Sequence, residues 1–182
     1  MILYACAQGF IIMWSWYYYY VALEEGDLTT VIPYYQFIPI FTYFFGLFFL
    51  QEYLSIQALL ASAAVTLGAF ALAYEGSSER RFHWKPLQSM IIACILVSFS
   101  SVMFKMLALE LQFWTTLFWG YVGAVLYSLF LCTKESFRKE FLYIFTHNKK
   151  LVLGLNALNE VVGLVADSLF RFTSLLAPVA LV

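Results

Sequence analysis

Charge is scarce in this chain. Asp, Glu, Lys and Arg make up 12% of its 182 residues, against about 25% in soluble globular proteins. A formal net charge of −1 gives no pointer to nucleic acid or to an acidic partner. Histidine is nearly absent, with His83 and His147 alone, each in a polar stretch where solvation is expected. Cysteine is nearly absent too. Cys6, Cys94 and Cys132 stand singly in apolar runs, with no CxxC and no Cys/His neighbour, so neither a disulfide framework nor a metal site is expected. They read as small apolar side chains. A nucleophile elbow, a zinc-protease HExxH and a phosphate-cradling glycine loop are all missing. No enzyme is expected, and no metal or cofactor is implied.

Apolar surface is what the chain has in excess. Hydrophobic residues make up 63% and mean hydropathy is +0.82, more than a small soluble fold can bury. The expected class is all-α: a polytopic transmembrane helix bundle, integral to the plasma or inner membrane and passing through it several times. Lipid would cover what protein does not.

A helix needs about 20 apolar residues to cross the hydrocarbon core. Residues 2–23, 29–50, 54–74, 87–109, 111–132 and 151–172 qualify as helices A to F. A seventh helix is expected to start at Ser174, still apolar at Val182. Met1 has no basic region behind it, so no signal peptide is read. Six full helices plus the start of a seventh point to a piece of a longer protein, truncated at the C-terminus and at the N-terminus as well.

The joints are short. Glu24-Glu25-Gly26-Asp27 joins A to B, Gln51-Glu52 joins B to C, and Glu110 separates D from E. The polar linker 76–86 divides the chain into halves 1–75 and 87–182. In the loop 133–150, Phe137, Phe141, Ile144 and Phe145 fall at helical spacing with Lys134, Arg138 and Lys139 between them. That pattern fits a short amphipathic helix in the headgroup region, or an ordinary charged loop. Linker and loop fall on one side of the membrane and carry Arg80, Arg81, Lys85, Lys134, Arg138, Lys139, Lys149 and Lys150. The other side has Lys105 and Arg171. By the positive-inside rule the basic side is cytoplasmic.

Polar groups inside spans are the candidate site. Asn156, Glu160, Gly163, Asp167 and Arg171 step by four, three, four and four along F and share one face; Asn159 lies beside them. A carboxylate at a helix centre costs about 2.5–3.5 kcal/mol, while each Leu or Val contributes about 0.3–0.6. Helix F is thus marginal alone, and its polar face is expected to look into the bundle or a water-filled cavity. Glu160, with Asn156 and Asn159, would line a solute path, carry a proton or pair with a neighbouring helix. Asp167 and Arg171 would pair with each other or join that path. On D, Cys94, Ser98, Ser101 and Lys105 form a parallel stripe. Lys105 would snorkel to water or meet Glu160 or an anionic solute.

Helix B holds Pro33 and Pro39. Neither has an N–H, so the carbonyls of Thr29 and Tyr35 lose their helical donors. A bent helix with free acceptors results, beside which Tyr35, Gln36 and Tyr43 would face a cavity. Interrupted helices mark transporter binding sites, although a static kink is the alternative. Trp14, Trp16 and Tyr17 to Tyr20 read mainly as an interfacial belt, with one or two of the rings free to face a cavity where they would hold an amphipathic solute. Gly120, Gly123 and Ala124 in E, and Ala61, Ala64 and Gly68 in C, are small residues for close helix contact.

The segment 21–75 resembles the end of an EamA repeat of the drug/metabolite transporter superfamily. The matching features are Ala22-Leu23 before a short turn, Pro39 in mid-helix, Gly46-Leu47, Glu52 in a tight turn, and Gly68 in the closing helix. Gln51 stands where the family usually has glycine. The stretches 113–131 and 155–182 are similar to the second repeat of one branch. The resemblance implies ten helices in two inverted five-helix repeats, with A, B and C ending the first and D, E, F and the stub opening the second. It also implies both termini in the cytoplasm, which would put the basic linker outside, against the charge count.

The function expected from these features is transport of small metabolites or amphipathic compounds by a secondary transporter. Solute would bind near the midplane between the halves, with possible proton or ion coupling, and rocking would expose it to each side. Tyr35, Gln36, Pro39, Tyr43, Lys105, Asn156, Asn159, Glu160 and Asp167 would line its path. The alternative is a membrane binding or assembly protein without transport. With the basic side cytoplasmic, Ser77→Cys and Ser136→Cys should escape an impermeant maleimide in intact cells and react after permeabilisation. Labelling of both in intact cells would reverse the orientation.

Overall fold

The computed structural model describes residues 1–53, 55–76, 84–147 and 150–176. The described residues are helical, with no strand among them. The helices are α1 (Ile2–Glu25), α2 (Leu28–Val31), α3 (Ile38–Phe45), α4 (Ile56–Gly76), α5 (Trp84–Leu111), α6 (Phe113–Cys132), α7 (Glu135–His147) and α8 (Lys150–Leu176). Between α2 and α3 lies a tighter 3-10 segment, Ile32–Phe37, and after α3 a wider π segment, Gly46–Leu50.

Among the described residues, four helical stretches are long and apolar enough to cross a membrane: Ile32–Leu50, Trp84–Leu111, Phe113–Cys132 and Leu153–Leu176. They correspond to B, D, E and F. Helix A has the length, 24 residues, but its tryptophans and tyrosines dilute its apolar character, since such residues favour the interface over the hydrocarbon. In α4 the apolar stretch is the shorter Leu59–Gly68. The expected break between F and a seventh helix at Ser174 is not there, because α8 runs on to Leu176. The Thr173 and Ser174 hydroxyls donate to the carbonyls of Phe170 and Arg171, each at 2.7 Å, so these polar residues are accommodated without leaving the helix. The linker residues 77–83 lie outside the described residues.

α5 is the central element. At 28 residues it is about 42 Å long, and α1, the broken span, α6 and α8 all pack on it. One core cluster joins Ala22, Val31 and Tyr34 to Leu87, Met90 and Cys94; a second joins Phe104 and Ala108 to Leu117. α1 also lies along α6 at very close range. A Cβ on Gly9 would collide with the Gly120 backbone, and one on Gly123 with the Cys6 backbone, so glycine is what lets these two backbones touch. Gly68, by contrast, has open space around it, and Ala61 and Ala64 are exposed. The buried Gln8 ties α1 to α5: its Nε2 donates to Ser100 Oγ at 2.8 Å, and that hydroxyl donates back to the Gln8 carbonyl at 3.2 Å.

Two joints rest on left-handed backbone. α5 ends at Leu111 rather than at Glu110, and Gln112 alone reverses the chain at φ 77°, ψ 147°, a region that glycine tolerates best. Its carbonyl then accepts from the Thr116 N–H and hydroxyl, both at 3.1 Å. Gln51 closes the π segment at φ 54°, ψ 33°. The Gly46 carbonyl accepts from its N–H and from that of Glu52. This conformation costs a residue with a Cβ about 1–2 kcal/mol, less the roughly 0.5–1 kcal/mol of extra chain entropy that glycine loses on folding. Gln51→Gly is therefore expected to raise stability by about 0.5–1 kcal/mol. Thermal unfolding in detergent checks this, and a lower Tm would refute the strain at residue 51.

Candidate functional site

The two prolines decide the geometry of the broken span. Ahead of Pro39 the chain tightens, and the Ile38 N–H reaches the Tyr35 carbonyl. The Tyr35 carbonyl is therefore not the free acceptor expected from α-helical spacing. In 3-10 geometry the group three residues before a proline loses its donor instead, and that group is Gln36. Thr66 of α4 stands in for it: its hydroxyl lies 3.1 Å from the Gln36 carbonyl and 2.9 Å from the Ser62 carbonyl of its own helix. From α5, the Cys94 thiol donates to the Tyr34 carbonyl at 3.4 Å and Ser98 Oγ donates to the Ile38 carbonyl at 3.1 Å.

The polar stripe of α5 is thus a row of donors to the broken span, and Lys105 completes it. Its ammonium neither snorkels nor meets Glu160. It is buried and paired with Glu52, in the turn that Gln51 opens. Two charges share one desolvated joint, where each limits the cost of burying the other.

Ser101, the remaining member of the stripe, faces a cavity of about 280 Å³. Trp16 and Tyr19 of α1, Tyr35 of the break, and Val97 and Phe104 of α5 line it, with Asp167, Arg171 and Ser174 of α8 as its polar wall. The Tyr19 and Tyr35 rings stand 5.1 Å apart between centroids. Asp167 Oδ2 accepts from Arg171 Nε at 2.8 Å and from the Tyr121 hydroxyl at 3.1 Å. The Arg171 guanidinium lies 4.6 Å from the centre of the Phe104 ring, a cation–π contact. The wall therefore presents one negative and one positive group that balance each other.

Of the residues expected along a solute path, the structure brings Tyr35 and Asp167 together at this cavity. Gln36, Pro39 and Tyr43 are half-buried in the broken span, outside the lining. Lys105 belongs to the turn. Asn156, Asn159 and Glu160 are exposed, because α8 meets the bundle through its later turns, where Phe172 packs on Phe113 at 5.6 Å and Leu175 joins the second core cluster. Which aromatics of α1 face a cavity could not be read from the sequence, since four consecutive tyrosines point in every direction on a helix; they are Trp16 and Tyr19. Tyr121, which donates to Asp167, was not singled out. No metal-binding group of His, Cys, Asp and Glu occurs among the described residues. No family model, curated protein or solved structure matches the chain.

Lys105→Met would leave Glu52 partly buried without its cation. We expect a loss of about 3 kcal/mol, the low end for a broken buried pair because Glu52 keeps some solvent. Adding Glu52→Leu should recover most of it. A double variant as unstable as the single one would show that the pair is not what holds the turn.

Proposed function

We propose that this chain forms part of a membrane transporter for small solutes, of the EamA type in the drug/metabolite transporter superfamily, with the cavity as its solute site. The observation that carries this reading is the cavity itself: aromatic faces on one side, a balanced acid–base pair on the other, and a span interrupted twice in its wall. A polar wall inside an apolar bundle is costly unless it meets water or solute at some stage.

The geometry also narrows the solute. About 280 Å³ is at the lower edge of small-molecule pockets, so the solute is smaller than a typical drug. Asp167 and Arg171 neutralise each other, so a solute with net charge would give up hydration without a spare counter-charge. A neutral or zwitterionic compound with a flat apolar body fits best, its body against Trp16, Tyr19 and Tyr35 and its polar end toward Ser101, Asp167 and Arg171. A proton or cation reaching Asp167 would compete with Arg171 for the carboxylate and so couple ion to solute. In the ten-helix reading, the halves 1–75 and 87–182 rock about the linker 76–86. A second reading, an assembly protein without transport, draws on the exposed Asn156, Asn159 and Glu160.

Uptake and efflux of radiolabelled amino acids, nucleosides and sugars by cells expressing the chain test the proposal. At least one probe should move faster than in empty-vector cells. Ser101→Trp, which fills the cavity, should cut that rate about tenfold or more, equivalent to about 1.4 kcal/mol, at unchanged membrane level. Rates identical to empty vector for every probe would favour the assembly reading, and a rate untouched by Ser101→Trp would move the site elsewhere.

A further inference from the structure

α7 contributes no residue to the cavity lining. α6 leaves its span at Cys132, and α8 starts the next at Leu153. The segment between them therefore returns to the membrane boundary at both ends. Its first turn is firmly closed: the Thr133 hydroxyl donates to the Phe130 carbonyl at 2.7 Å, the Lys134 N–H to Leu131 at 3.0 Å, and the Arg138 N–H to Lys134 at 3.2 Å. The 13 residues of α7 span about 20 Å, long enough to lie along a bilayer surface.

The side chains sort by face. Phe137 and Phe141, one turn apart, are exposed at 36% and 53%. Lys139 and Glu135 form an ion pair of 2.7 Å on the opposite face, so much of that pair's charge is already matched. Lys134 and Arg138, also one turn apart, border the phenylalanine face. Aromatic rings along one face with cations at its edge are what an interfacial helix needs: the rings enter the acyl boundary while the cations meet headgroup phosphates. Arginine suits this edge because its planar fork takes two phosphate oxygens at once.

We propose that α7 is a recognition surface for the phosphate headgroups of anionic phospholipids, with Phe137 and Phe141 inserted and Lys134 and Arg138 reading the charge. The occupant is the bilayer the chain already sits in, since both ends of α7 are covalently held at its surface and no soluble partner has that proximity.

Hydrogen–deuterium exchange tests this on the full chain in nanodiscs, one set of phosphatidylcholine and one of equal parts phosphatidylcholine and phosphatidylglycerol. Residues 135–147 should exchange roughly tenfold or more slowly in the anionic set, and added salt should shrink the difference. Lys134→Gln with Arg138→Gln should abolish the lipid dependence while exchange in α5 stays the same, which separates lost recognition from lost folding. Phe137→Ser with Phe141→Ser should leave α7 fast in both sets. Equal exchange in the two lipids, or a lipid dependence that survives the Lys134 and Arg138 changes, would overturn the proposal. So would equal protection in phosphatidylcholine from inorganic phosphate alone, because the site would then take the ion rather than the lipid.

Discussion

In hydrocarbon, a backbone carbonyl without a donor has no water to turn to. The span Ile32–Leu50 faces that constraint directly, because Pro33 at its start and Pro39 in its interior bring no N–H. Its answer is shared between the chain and its neighbours. The backbone tightens to a 3-10 segment, which satisfies Tyr35 and shifts the loss to Gln36, and Cys94, Ser98 and Thr66 reach across with side-chain donors. Breaking the span thus commits α5 to lie beside it in one register, and α1, α6 and α8 then assemble around α5.

The same helix face governs the charges. One turn beyond Ser101, Lys105 is held by Glu52, which in turn pins the joint after the π segment. Between these donors the stripe meets no carbonyl, and there the cavity opens beside Ser101. A row of polar residues that elsewhere repairs backbone is, at that one position, left facing aromatic rings and the Asp167–Arg171 pair. Arg171 is itself held by Phe104 and Asp167, so the polar wall is organised by the chain's own contacts.

Much of this was legible in the residues. Prolines in a span announce lost donors whatever the fold, and an i, i+4 acid–base pair such as Asp167 and Arg171 needs only its own helix to form. Gln51 was different: its residue type gave no sign of a left-handed joint, and only the backbone at φ 54° shows one. Other features depend on which helices meet. Glu160 sits on the same stripe as Asp167 and two turns away, yet only Asp167 reaches the cavity, since α8 docks by its later turns. The small residues of α6 and α4 look alike in sequence, but Gly120 and Gly123 touch α1 while Gly68 touches nothing described.

Helicity, enough apolar surface to span a membrane, four of the six expected spans and the break in one of them could be read from the residues alone. Those follow from composition, run length and the missing proline N–H, properties carried by each residue into any fold. Only the tertiary structure decided that Lys105 answers Glu52, that Cys94 and Ser98 serve the break while Ser101 faces a cavity, and that Tyr35 and Asp167 meet there. A stripe of polar residues has one helical spacing but as many roles as it has neighbours, and the neighbours are chosen by how the helices pack.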